Sequence, residues 1–194
     1  SEILMNYTNR LTEFQSNNLT AIIKQRAIRY PLQYIFGEWA FYGREFFVGP
    51  GGLVPRADTE TLVGVCLKYL KRHGTDNVTL ICGDVLNGAA NDKEYELIVS
   101  NPPYVPKNEM ETVSPEGHYE PETALFGGED GLDFYRAIIA EYKKALKVGG
   151  MLAFEVGAGE AAAVEALLED AGLKEINTEK DLGGICRAVY GIKK

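Results

Sequence analysis

Glu96-Leu97-Ile98-Val99-Ser100 runs straight into Asn101-Pro102-Pro103-Tyr104, and no other junction restricts the fold as much. The apolar run is too short for a helix and reads as a buried strand. The two prolines lack N–H groups and restrict the residues before them, so the strand must end in a stiff loop. In open α/β sheets, ligands bind outside the carboxyl ends of the strands. The four residues suit the task of holding a planar NH2 group. Asn101 offers a side-chain oxygen as acceptor, proline offers a carbonyl without a competing donor, and Tyr104 offers a flat face. The same tetrapeptide also makes an ordinary rigid exit turn, since Asn before Pro starts turns. Its place after an apolar strand favours function, because loops there carry sites.

The remaining segments alternate between helix and strand. Residues 1–30 read as helical, with Leu19, Ile22 and Ile23 at helical spacing, Asn17-Asn18 as a cap and Pro31 as the stop. Residues 33–48 carry Tyr34-Ile35-Phe36, Trp39, Phe41-Tyr42 and Phe46-Phe47 around Gly37 and Gly43, which reads as an aromatic β-hairpin. Those aromatics either pack the hairpin or line a pocket, and packing is the simpler reading. After Gly49-Pro50-Gly51-Gly52, Asp58 is placed as the N-cap of a helix with the stripe Leu62, Val63, Cys66, Leu67 and Leu70. Arg56, Asp58 and Glu60 are consistent with a capping and salt-bridge group alone. Strands follow at 78–82 and 97–100, with Gly83-Asp84 closing the first. A helix is predicted over 132–146, stopped by Gly149-Gly150, then a strand at 151–156, a helix at 160–171 and strands at 174–178 and 185–192. Alternation of this kind argues a mostly parallel α/β sheet, with the last two strands pairing antiparallel.

Composition bounds the function. The 194 residues suit one domain with a small appendage, and 45% hydrophobic content allows a substantial core. The net charge of −8 argues against gripping a nucleic-acid backbone. Cys66, Cys82 and Cys186 lack metal spacing and leave an odd thiol, which points to a reducing, cytoplasmic setting. His73 and His118 have no clustered partners, so no metal is expected. No apolar run approaches the roughly 18 residues of a membrane span, and no secretory signal opens the chain. The start at Ser1-Glu2 rather than Met reads as trimmed or as a start not fully seen.

With these segments laid out, the chain resembles the protein-(glutamine N5) methyltransferases that modify peptide chain release factors, the HemK/PrmC family. Five blocks carry the resemblance: Pro31-Leu32-Gln33-Tyr34-Ile35-Phe36-Gly37; Leu53-Val54-Pro55-Arg56-Ala57-Asp58-Thr59-Glu60; Ser100-Asn101-Pro102-Pro103-Tyr104; Glu120-Pro121-Glu122-Thr123-Ala124-Leu125-Phe126-Gly127-Gly128; and Gly149-Gly150-Met151 through Glu155-Val156-Gly157. Lys180-Asp181-Leu182 and Arg187 match as well. The tetrapeptide alone is shared with adenine-N6 methyltransferases; together with the Pro-Arg-x-Asp-Thr-Glu block it is far more specific. The resemblance implies a Rossmann-like methyltransferase sheet with helices on both faces, S-adenosylmethionine as methyl donor, and a glutamine in a Gly-Gly-Gln loop of a release factor as acceptor. It implies three units: a partial helical domain over 1–32, a hairpin linker over 33–52 and the methyltransferase domain over 53–194. A monomer is expected, with no membrane and no direct nucleic-acid partner.

The implied site follows residue by residue. Asn101, Pro102, Pro103 and Tyr104 would hold the glutamine amide and carry the reaction. Arg56 and Glu60 would add contacts to the substrate. Asn101 would also stand near the donor's methionine end, and Asp84-Val85 beside its adenine. An amide nitrogen is a poor nucleophile, so the main task is alignment, and no strong general base is needed before transfer. The sequence departs from the family at the donor. An Asp-x-Gly-x-Gly-x-Gly loop and the acidic residue that binds ribose are absent. Each βαβ unit takes roughly 30 residues, so a stretch is expected to be missing near 73–77, with a smaller break near Thr8-Asn9. Two rival readings are an adenine-N6 nucleic-acid methyltransferase, acting on a flipped base, and a binding-only relic without a donor.

Overall fold

The computed structural model describes residues 10–74, 84–87 and 94–194. The strand expected at 78–82, together with Cys82 and Thr8-Asn9, lies outside them. Helix α1 (Glu13–Ala27) is capped by Thr12, whose hydroxyl accepts from the Gln15 N–H while the Gln15 side chain accepts from the Thr12 N–H. This capping box, not Asn17-Asn18, starts the helix. The stripe expected on it is not buried: Leu19 is 45% and Ile23 57% exposed. Residues 34–36 form not a strand but part of a short helix, α2 (Leu32–Phe36), which ends on Gly37 at φ 74°. Three apolar residues in a row carry no period, and Pro31 before them favours a helix start over a strand.

Strands β1 (Glu38–Phe41) and β2 (Arg44–Phe47) make the expected hairpin, with Phe41 opposite Arg44. Tyr42 and Gly43 both have positive φ, which is the tight turn that matches strand twist.

The main sheet has the order β3-β4-β6-β5. Strand β3 (Tyr95–Ser100) pairs parallel with β4 (Leu146–Glu155); β4 pairs antiparallel with β6 (Cys186–Ile192), and β6 antiparallel with β5 (Lys174–Lys180). Helix α3 (Thr59–His73) covers one face. Helices α4 (Asp133–Tyr142) and α5 (Ala161–Asp170) cover the other. Alternation along β4 builds both cores. Met151 and Ala153 meet Leu62, Val65, Cys66 and Tyr69 of α3. Leu152 and Phe154 meet Tyr135, Ile138, Val164 and Leu168 of the other two helices. A strand buried on both faces reads as the unbroken apolar run seen here.

Two helix readings shift. The stripe of α3 turns toward Val65 and Tyr69, while Leu67 is 46% exposed. Helix α4 stops at Tyr142, not 146, and Gly149-Gly150 belong to β4 instead. The Gly149 N–H donates to the Lys193 carbonyl and the Lys193 N–H to the Gly150 carbonyl, so the ladder to β6 takes the groups that a helix end would leave open. Burial pushes the Cys66 thiol up to about 11, which keeps it an inert core residue. None of the described helices is long and apolar enough to cross a membrane.

Candidate active site

The tetrapeptide leaves β3 beside the end of β4, where Ser100 pairs with Phe154. Its far side is fastened to a second loop. The Val105 N–H donates to the Leu125 carbonyl at 2.8 Å, the Gly127 N–H to the Val105 carbonyl at 2.9 Å, and the Lys107 N–H to the Gly128 carbonyl at 3.0 Å. The two loops touch so closely at Gly127 that no side chain fits. A Cβ there would stand 2.7 Å from the Tyr104 Cα and 2.9 Å from the Pro103 carbonyl oxygen, both backbone atoms. Gly127→Ala is therefore expected to displace Pro103 and Tyr104 and lower substrate affinity about tenfold or more, as misplacement by about 1 Å can cost that much. Titration with a glutamine peptide checks it.

A cavity of about 260 Å³ opens at this point. Asn101, Tyr104 and Arg56 line it, with Thr59, Glu155 and the hairpin residues Phe41 and Phe46. The two phenylalanines thus do both things weighed for them: they pack edge-to-face at 5.9 Å and they wall the cavity. Burial raises the Tyr104 phenol pKa above its ordinary value, with Glu155 adding to the effect. It stays neutral, which leaves it available as a flat face and not as a base.

The loop 53–56 is held by Glu120, a residue that sequence reasoning quoted without a role. Its carboxylate accepts the Val54 N–H at 3.0 Å and pairs with Arg56 at 2.6 Å, and the residue is only 8% exposed. Glu120→Ala leaves a buried N–H unsatisfied and the Arg56 guanidinium unpaired. It is expected to cost about 2–3 kcal/mol, read by denaturant unfolding, and to loosen Arg56. Asp58 stands at the N-cap position of α3 without a capping bond and pairs instead with Arg187 at 2.7 Å.

Not every candidate is gathered here. Pro102 is buried and Pro103 half-buried in the loop itself. Glu60 accepts the Tyr42 N–H at 2.7 Å and ties the hairpin to α3, outside the cavity. Asp84 accepts the Leu86 N–H, and Val85 packs on the core, also outside it. Thr59 and Glu155 were missed. Glu155 had a signal: a lone carboxylate ending an apolar strand.

No protein-family model matches the chain. The release factor glutamine methyltransferase of Clostridium acetobutylicum is 31% identical, over all of this chain and 90% of its own length. The chain belongs to the release factor glutamine methyltransferase family. A second member, from Geobacter sulfurreducens, is 32% identical over 97% of this chain and 82% of its own length. A crystal structure from Alicyclobacillus acidocaldarius, titled as a release-factor-specific protein-(glutamine-N5) methyltransferase, gives a TM-score of 0.40 at 20% identity over 77% of this chain and 99% of that one, too slight a likeness to carry an argument. The Clostridium alignment runs over 257 positions against 194 residues here, so that family member carries residues with no counterpart in this chain.

A methyltransferase of this family implies a sulfonium donor carrying a nucleoside. A site for it needs a cleft for the base, acceptors for ribose hydroxyls and a partner for a carboxylate. Among the described residues Asn101 faces the cavity while Asp84 and Val85 stand outside it. The residues described do not assemble that site, and the chemistry argued below stays on the acceptor side.

Proposed function

We propose that this chain holds the glutamine of a Gly-Gly-Gln loop in a peptide chain release factor and serves methylation of its N5 nitrogen, with S-adenosylmethionine as the donor. The observation that carries the reading is the cavity at the end of β3, which joins Asn101, Tyr104 and Arg56 in a member of this family. Its size and its apolar walls suit one flat side chain entering from a loop. The Asn101 oxygen and the Pro102 carbonyl accept the two amide N–H groups. Tyr104 stacks on the amide plane, and Arg56 meets the backbone of the incoming loop. Two acceptors aim the nitrogen and favour positive charge growing on it.

Residues 1–32 act on this reading as the docking unit, 33–52 as the linker and 53–194 as the catalytic unit. The docking helix is already tied to the catalytic part, since Arg26 and Arg29 both pair with Glu116 at 3.1 and 3.0 Å.

The test is incubation of the full chain with methyl-labelled S-adenosylmethionine and either a release factor or duplex DNA. Label on the glutamine of the release factor is expected. Label on DNA would move the assignment to adenine. A release factor that is bound but never labelled would leave a binding protein without transferase activity.

A further inference from the structure

Glu116 lies outside the cavity, yet two cations from a distant part of the chain converge on it. Arg26, in the last turn of α1, reaches one carboxylate oxygen at 3.1 Å, and Arg29 reaches the other at 3.0 Å. Arg29 sits at φ 64°, a left-handed region that few residues other than glycine adopt. The chain thus turns sharply just after α1, where it presents both guanidinium groups to one partner. Close by, the Tyr119 hydroxyl donates to the Ile28 carbonyl at 2.9 Å, and its ring meets Tyr30 edge-to-face at 5.0 Å. The end of α1 is therefore fastened to residues 116–119 by charge, by a hydrogen bond and by an aromatic pair.

The same short turn carries Glu120. The Tyr119 N–H donates to the Glu116 carbonyl at 3.2 Å, and the Glu120 N–H to the Gly117 carbonyl at 2.9 Å. Gly117 is buried, and a Cβ there would stand 2.5 Å from the Val113 side chain, so the turn has little room to shift. At its far end Glu120 accepts the Val54 N–H and pairs with Arg56, which lines the cavity. Neither Glu116 nor either of its arginines lines it.

We propose that Glu116 is a positioning residue: clamped by Arg26 and Arg29, it fixes the turn at 116–120 and through Glu120 holds Arg56 in place for the substrate. Substrate affinity then depends on how the helical unit is seated, even for a substrate confined to the cavity. A unit that only docked the partner would leave such a substrate unaffected. The consequence for binding rests on the contact between Arg56 and the incoming loop proposed above; the clamp itself does not.

Two variants of the full chain test it. Glu116→Gln keeps the shape but sets an NH2 donor against one guanidinium and leaves two positive charges side by side. Arg26→Met with Arg29→Met removes the clamp from its other end. Affinity for a capped Gly-Gly-Gln peptide is measured by calorimetry. Exchange of the Val54 amide hydrogen, which reports the grip of Glu120, is followed by NMR. Peptide affinity is expected to fall about three- to thirtyfold, the range seen when a residue coupling two sites is altered. Val54 exchange is expected to speed up by a similar factor, while the amide of the fully buried Leu152 keeps its rate. If Glu116→Gln fails to fold, the paired arginine variant decides. Unchanged Val54 exchange, unchanged peptide affinity, or equal acceleration at Leu152 in both variants would overturn the relay and leave the acceptor reading standing. A parent chain that binds no peptide would instead remove the acceptor reading and the consequence for substrate, while Val54 exchange still judges the clamp.

Discussion

Replacing Asn101 with alanine is expected to reduce methyl transfer by about 10²–10³-fold, the scale seen when one preorganised hydrogen-bonding group is removed from a reacting centre. The loss should fall on kcat and on kcat/KM together, because the missing acceptor matters most as charge builds on nitrogen. Stability should hardly change. Asn101 is half-buried, and its bond to Thr59 is long at 3.4 Å, so its removal costs the fold little. Steady-state kinetics with a release factor, paired with a melting curve, separates the two effects. Near-normal turnover by a folded Asn101→Ala protein would falsify the acceptor mechanism.

Phe154→Ala is expected to have the largest effect on stability, about 3–5 kcal/mol. Phe154 is 0% exposed and meets Tyr135 edge-to-face at 5.3 Å. Tyr135 is equally buried, and its hydroxyl donates to the Glu155 carbonyl at 2.9 Å. Emptying the Phe154 position therefore removes apolar burial, an aromatic pair and the support beneath the end of β4. At roughly 2–4 °C per kcal/mol for a chain of this size, the melting temperature should fall on the order of 10 °C. Urea unfolding would give the free energy directly. A loss below about 1 kcal/mol would mean that neighbouring side chains collapse into the space, against the close packing inferred here.

Several elements were legible because their signals are local. Strand β3 and the loop after it follow from an apolar run that meets two prolines. Strand β4 follows from an unbroken apolar run, and the β5–β6 pairing from two strands with no helix between them. Other readings failed where the signal was weak or ambiguous. Residues 34–36 read as part of the hairpin from their aromatic character, but three apolar residues carry no period, and they fold as helix. Gly149-Gly150 look like a helix stop, but their backbone groups pair with Lys193, just past β6, and α4 ends earlier. The stripe Leu62, Val63, Cys66, Leu67 and Leu70 leaves out Tyr69, which is buried and donates its hydroxyl to the Gly149 carbonyl at 2.9 Å.

The α/β sheet, and the stiff, acceptor-rich loop that ends one of its strands, follow from the amino-acid order alone, because proline geometry and apolar periodicity act within a few residues. The groups that surround that loop are set by long-range packing. Thr59 meets Asn101 across 42 positions of chain, and Glu120 holds Arg56 across 64. Such partners are chosen by how helices and strands pack, and a packed interior brings together residues whose spacing along the chain carries no trace of the contact.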